Sequence, residues 1–347
     1  MNPKHLTKSL LLSLCLITGF VIYWEYYWRS QDFLISFNDD KIIWADKRKQ
    51  VYYPKEEATV FIGGSRIKYD LDIETWKKLT GEKAIQLAIV GTQAKRVLLD
   101  FAKDEKFKGK LIIDVAETQF FREDDLRSKK VIGEALEYYH GETPAQNISA
   151  QLDFALESKL VFLEESRFGL NNLLNERNIP NRNGVTPVRS GAFKKEAVIH
   201  SYDRQAIFTP KFLNDTNMLK EQLVSWKKGI ELGKKVPVIT GDSLQKFFIV
   251  IATAVNKIRA RGGSVLFVRP PSQDFYLEYE EQRFPRKKYW DQLLITSKSD
   301  GIHFQDYPAF SQLYLPEKSH CAPPDAIRFT EELVSILREK KWFRKGV

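Results

Sequence analysis

Apolar positions along this chain fall into two kinds of run. The first occurs once. Leu10 to Trp24 is nearly unbroken, preceded by Lys4, His5 and Lys8, and Tyr23, Trp24, Tyr26, Tyr27 and Trp28 crowd its end. With its flanks it is just long enough to span a bilayer as a helix, and the aromatic cluster fits an interfacial belt. No small-x-small cleavage pattern follows, and bulky aromatics stand where one would be needed. Leu12-Ser-Leu-Cys15 is a poor lipoprotein box, because a leucine precedes the cysteine and the apolar run continues past it. An uncleaved anchor over residues 1–30, meeting lipid through residues 9–28, is therefore expected. Basic residues nearly balance on its two sides, so charge does not set its orientation.

The second kind is short and recurs. After a polar, aromatic-spotted connector (31–57), Thr59–Ile62, Ala84–Val90 and Lys110–Val115 read as buried strands. Helical patterns at Leu71–Leu79 and Ala94–Lys103 lie between them. This alternation predicts a parallel sheet covered by helices on both faces. The rhythm breaks over 120–216, where Ile132–His140 and Leu152–Glu165 look helical and a Gly/Asn/Pro-rich passage runs from Asn178 to Gly191. Two readings stand for this insertion: a cap over the active edge of the sheet, or a peripheral decoration. Regular α/β pattern then returns. Met218–Leu232 and Ser243–Arg261 read as helices, the latter ended by Gly262-Gly263. Ser264–Val268 and Gly301–Phe304 read as strands, and residues 329–338 as a closing helix with Thr330 near its start. The α/β domain thus comprises 58–119 and 217–338, with a basic tail at 339–347.

Composition narrows the class. Of 347 residues 43% are hydrophobic and 13% aromatic, which calls for a packed body and not a disordered one. The net charge is +9, but lysines alternate with acids almost everywhere, and only Arg338–Lys345 is a dense basic cluster. That reads as a solvated end, with a weak membrane-surface contact as the alternative, and not as a nucleic-acid site. The two cysteines, Cys15 and Cys321, suggest neither a disulfide nor a metal site. Neither a metal nor a cofactor is expected.

Candidate chemistry gathers at Thr59-Val-Phe-Ile-Gly-Gly-Ser-Arg-Ile-Lys68, a strand running into a Gly-Gly turn, a serine and a helix. Parallel sheets place ligands beyond the carboxyl ends of their strands. Glycines let another group approach the main chain there. Ser65 would be exposed with backbone N–H groups around it, as suits a nucleophile beside an oxyanion hole. An ordinary turn with a serine cap, or a phosphate cradle, fits the same residues. Gly241-Asp-Ser243 opens a helix, and Asp242 or Ser243 as its cap explains it. Of five histidines, His5 precedes the anchor, His140 and His200 lack a convincing partner, and His303 sits in an apolar strand as a structural residue. His320 differs: Glu317 lies three residues earlier in the loop before the final helix, a spacing that lets a carboxylate hold one ring nitrogen and aim the other at a serine. A surface Glu–His pair is the plainer alternative. Without a Gly-x-Gly-x-x-Gly turn or a Walker lysine, a nucleotide site is a weak reading.

Gly63-Gly-Ser-Arg66, Gly91 after the second strand, and Glu317-x-x-His320 resemble the first, second and fifth blocks of the SGNH/GDSL hydrolase superfamily, most closely its membrane-anchored bacterial members with Gly-Ser-Ser-Arg at the serine. His320 to Thr330 has the family's cadence after the histidine, and Gly301 to Asp306 fits its last strand. The resemblance covers roughly 58–119 and 217–338. It implies a three-layer α/β/α sandwich with a flavodoxin-like parallel sheet, and a serine esterase or O-acyltransferase acting on acyl esters such as an O-acetylated envelope glycan. Ser65 would be the nucleophile, His320 the base and Glu317 the orienting acid, with backbone N–H groups of Ser65 and Gly91 on the oxyanion. The family's third block supplies an asparagine; here the segment is Ala116-Glu-Thr-Gln119, which leaves Thr118 as the donor. Gly64 also replaces the usual aspartate or serine. These departures keep a second implication open: a scaffold of weak or no activity beside a membrane acyltransferase. The resemblance places the soluble domain outside the cytoplasm, in the periplasm or at the cell surface.

Overall fold

In a computed structural model, residues 3–122, 126–175, 193–194 and 196–343 are described. The Gly/Asn/Pro-rich passage Asn178–Gly191 and the end of the basic tail lie outside these residues. The helix α1 (Pro3–Ser30) has 28 residues, about 42 Å at 1.5 Å per residue, against about 30 Å of bilayer hydrocarbon. It is long and apolar enough to cross a membrane, and its apolar stretch is unburied. The helix α2 (Lys41–Lys49) follows, started by Asp40, whose carboxylate accepts from the N–H groups of Ile42 and Ile43.

The main body is an all-parallel sheet of β1 (Ala58–Ile62), β2 (Lys83–Gln86), β3 (Lys110–Asp114), β6 (Ser264–Arg269) and β7 (Asp300–His303), in the order β2-β1-β3-β6-β7. Two short strands, β4 (Val198–His200) and β5 (Ala206–Phe208), form a separate antiparallel hairpin. Between β1 and β3 run α3 (Ser65–Asp70), α4 (Ile73–Thr80) and α5 (Lys95–Lys103). After β3 come α6 (Glu117–Phe120), α7 (Leu126–Gly141), α8 (Pro144–Glu157), α9 (Glu165–Phe168) and α10 (Leu170–Asn175). The hairpin leads to α11 (Pro210–Asn214), α12 (Thr216–Gly233) and α13 (Gly241–Ala260), then β6. The chain ends with α14 (Asp274–Arg283), α15 (Trp290–Ser297), β7, α16 (Pro308–Ser311) and α17 (Pro323–Glu339).

The central strands β1, β3 and β6 are mostly apolar on both sides because both faces of the sheet are covered. Val60, Ile62, Leu111, Ile113, Val265 and Phe267 face one apolar cluster with α5, α13 and α15. The alternate residues Phe61, Ile112, Leu266, Val268 and Ile302 face another, with α4 and α17. The expected parallel α/β sheet is therefore present.

Several local expectations shift. The second strand is regular only to Gln86, although Leu87 and Ile89 still donate to the carbonyls of Phe61 and Gly63. Leu152–Glu165 is not one helix: α8 ends at Glu157, and extended backbone at Leu160 and Glu164 divides the rest. The final helix starts at Pro323, so Thr330 lies mid-helix, accepting from Asp72 N–H at 2.7 Å. Thr240, not Asp242 or Ser243, caps α13, and its side chain makes no capping bond. The helices α14 and α15 fall where no helix was expected.

Candidate active site

The strand β1 lies where the sheet order reverses, with β2 on one side and β3 on the other, and Gly63 leaves its carboxyl end. Gly63 has a φ of +152°, and a Cβ there would run into Cβ of Asp114 at the end of β3. Gly64 donates its N–H to Asp114 Oδ2 at 3.0 Å, and a Cβ on it would come within 3.3 Å of the Thr92 carbonyl. Crowding by β3 and the loop after β2 thus accounts for both glycines. Burial pushes the Asp114 carboxyl up to about 6, against the pull of the Arg66 guanidinium and the Gly64 N–H. Ser65 is the first residue of α3 and is half-buried.

Glu317 and His320 sit in the loop before α17. Glu317 is wholly enclosed, and both its oxygens are engaged. Its Oε1 accepts the N–H of His320 at 2.7 Å and of Ser319 at 3.3 Å, and meets His320 Nδ1 at 2.8 Å. Its Oε2 accepts from the indole N–H of Trp226, on α12. A carboxylate can only accept, so Nδ1 carries the proton and Nε2 is the basic nitrogen of the neutral ring, a tautomer assigned from these bonds. Nε2 is buried and makes no hydrogen bond.

Three contacts fasten this loop to α3. The His320 ring lies on that of Tyr69, centroids 4.4 Å apart. Asp70 Oδ1 accepts the Cys321 N–H at 2.8 Å. Arg66 Nε donates to Ser319 Oγ at 3.4 Å. Ser65 and Tyr69 are four apart on one helix and so share a face. The fold therefore brings the Glu317–His320 pair onto the helix that Ser65 opens, although Ser65 Oγ and His320 Nε2 are not hydrogen-bonded. Phe208 of β5 and Phe193 complete an aromatic wall, 6.3 and 6.0 Å from the imidazole. Burial and the nearby Glu317 carboxylate raise the Tyr69 phenol well above its ordinary range.

Around the turn, Gly91 has a φ of +71°, and the Arg127 side chain lies over it, Nε 3.2 Å from where a Cβ would sit. Thr118, half-buried in α6, lines a cleft of about 210 Å³ shared with Trp226, Tyr276, Tyr279 and Arg283. Glu117, beside it, enters a buried ionic cluster. Arg269 bonds Glu117 at 2.9 Å and Glu280 at 2.8 Å, while Arg66 bonds Glu280 at 2.6 Å and Ser272 Oγ donates to Glu280 at 2.7 Å. Burial raises the Glu117 carboxyl; Glu280 is held low by two arginines that outweigh its own burial.

A second cluster ties the connector to α3: Asp39 bonds Lys68 and, at 2.8 Å, Arg204 Nε. Burial brings the Lys68 amine down to about 7 and, beside it, the His200 imidazole down to about 4. His303 is likewise brought to about 3 by burial. His140 does have a carboxylate partner, Asp100, at 3.3 Å. Cys15 and Cys321 are free. Among the described residues no group of three His, Cys, Asp or Glu could hold a metal ion.

Trp226, Tyr69, Asp114 and Arg127 escaped sequence reasoning. Asp114 alone left a trace, as a charge closing an apolar strand; the others look like ordinary helix residues. No family model matches the chain, and neither does any curated protein.

Proposed function

We propose that the chain is a membrane-anchored serine esterase or O-acyltransferase of SGNH type, with Ser65, His320 and Glu317 as its triad and a three-layer α/β/α body. The observation that carries this reading is the imidazole itself. Its Nδ1 is fixed by a buried carboxylate, and its Nε2 is buried without a partner on a loop bonded to the serine helix. A buried polar atom left unpaired is costly, and catalytic hydrogen bonds often tighten only when substrate binds. Nε2 would take the hydroxyl proton as Ser65 attacks an acyl carbonyl. The N–H groups of Ser65 and Gly91 would receive the oxyanion, with Thr118 as a third donor, and water or a sugar hydroxyl would release the acyl group. The substrate class is an acyl ester, such as an O-acetylated envelope glycan, handled outside the cytoplasm.

The test is labelling by a fluorophosphonate probe together with acetate release from model esters. Both are expected in the folded protein and both are lost in Ser65→Ala and His320→Ala. Folded protein that neither labels nor releases acetate overturns the reading. It would leave the second one, a non-catalytic scaffold beside a membrane acyltransferase, which the missing bond between Ser65 and His320 favours.

A further inference from the structure

The helix α8 is amphipathic in an unusual sense. Its inner face buries Ala150 and Phe154, with Phe154 5.5 Å from the Tyr202 ring. Its outer face carries Ile148, Leu152, Ala155 and Leu156, which at about 100° per residue fall within one arc of about 100°. Ile148, Leu152 and Leu156 are 64%, 62% and 51% exposed. A row of large apolar side chains held in water marks an interaction surface.

What lies next to this row indicates what covers it. The segment just after α8 is clamped to the end of α1. Glu25 accepts the Val161 N–H at 2.9 Å, Arg29 Nη2 donates to the Lys159 carbonyl at 2.9 Å, and Trp28 packs on Phe168 at 4.8 Å. Trp24, Tyr27 and Trp28 form the aromatic belt of α1, and such belts sit at headgroup depth. Leu156 is three residues from Lys159, so at most about 11 Å of chain separates it from that clamp. Leu152 follows about 6 Å further along the helix. On the other side of the clamp Leu170, 71% exposed, is two residues from Phe168, and Leu174 is exposed beyond it. Arg29, Lys159 and Lys211 are exposed in the same neighbourhood, with Lys211 Nζ 5.8 Å from the Phe33 ring, as anionic headgroups would favour.

We propose that the outer face of α8, together with Leu170 and Leu174, is seated in the surface layer of the bilayer that α1 crosses. The body is then held against the membrane at several points and not swung on a single helix. This rests on α1 being a membrane anchor, and the experiment separates the two claims.

The full chain, with Cys15→Ser and Cys321 left in its buried place, is reconstituted in phosphatidylethanolamine–phosphatidylglycerol vesicles. Nitroxide labels are attached singly at Leu152→Cys, Leu156→Cys, Leu170→Cys, Asp153→Cys and Leu14→Cys. Oxygen, which concentrates in lipid, is compared with a water-soluble nickel chelate as relaxing agent. All but the last are exposed helix positions on the soluble body, so the substitutions leave packing intact. The labels at 152, 156 and 170 are expected to show an oxygen-to-nickel ratio severalfold above that at 153, approaching that at 14. Labels at 152, 156 and 170 that match 153, with lipid-like values at 14, overturn the inference, keep the anchor and point to a protein partner for this face. Water-like values at 14 as well overturn both.

Discussion

Asp114 offers the sharpest quantitative test, because it touches both glycines of the serine turn and is itself almost wholly buried. Its carboxyl rises from 3.8 to about 6 on folding, chiefly by burial, with Glu117 adding to the rise and Arg66, Gly64 N–H and Ile67 N–H opposing it. The folded state thus prefers the protonated acid. Its stabilising effect is complete below pH 3.8 and is lost as pH rises through about 6. The difference of roughly two pH units, at about 1.4 kcal/mol each, is about 3 kcal/mol. Asp114→Asn is neutral at every pH and keeps an oxygen to accept the Gly64 N–H. The variant's stability relative to wild type should therefore climb by about 3 kcal/mol between pH 3.8 and 6 and stay level above. Urea unfolding of both full-length proteins in the same detergent, followed by tryptophan fluorescence across that window, measures it. A difference that does not change with pH would refute the reasoning, whatever its size. Asp114→Leu, which removes the acceptor, should destabilise by about 1–3 kcal/mol below pH 3.8 and, being equally neutral, regain about 3 kcal/mol relative to wild type as pH rises through about 6.

Trp226→Phe keeps a ring in the cleft but deprives Glu317 Oε2 of its donor; a charge-assisted bond of about 1.5–3 kcal/mol is at stake, so under the proposed chemistry ester turnover should fall about 10- to 100-fold while fluorophosphonate labelling slows in parallel. Gly63→Ala meets both an unfavourable φ and the Asp114 side chain, and should cost about 3 kcal/mol or more, read as a drop in urea midpoint. Glu280→Gln leaves the Arg66 and Arg269 guanidiniums short of a buried counter-charge; a loss of about 3–5 kcal/mol is expected, and unchanged stability would show that the cluster is better solvated than it looks.

The sheet was legible in the sequence because its central strands are buried on both faces and so appear as short apolar runs, Leu111 to Ile113 between two charges among them. The Glu317–His320 pair was legible because its geometry is local, a carboxylate three residues from a ring in one tight loop. Arg66, Glu117, Arg269 and Glu280 were not. Nothing in the spacing pairs them, and only the tertiary fold collects them in one buried cluster. Trp226 was hidden for the same reason, since nothing in the spacing of α12 marks which of its residues meets a loop 91 positions later. The helix α14 was missed because Asp274-Phe-Tyr-Leu-Glu-Tyr-Glu-Glu-Gln-Arg283 has no clear apolar stripe; Glu280 faces inward to bond arginine. Leu152–Glu165 misled in the opposite way, since its apolar residues serve two masters, the outer face of α8 and the clamp on α1.

The turn before Ser65 is gripped from two directions, and both grips involve the residues that follow it. From below, β3 presents Asp114 to Gly64. From above, the loop 317–321 is bonded to Arg66 and Asp70 and stacked on Tyr69. Arg66 joins the two, since its guanidinium faces Asp114 and Glu117 on the β3 side and bonds Glu280 and Ser319 on the other. The segment Ala116–Gln119 does structural service here, since Glu117 bonds Arg269, and Thr118 is the residue of this segment with a hydroxyl to donate. In the proposed chemistry, with a threonine hydroxyl in place of an asparagine amide, the backbone N–H groups of Ser65 and Gly91 carry most of the developing charge. A rigid serine turn matters more in such a site than in one with an asparagine to spare, because preorganised donors stabilise an oxyanion only if they need not move to reach it.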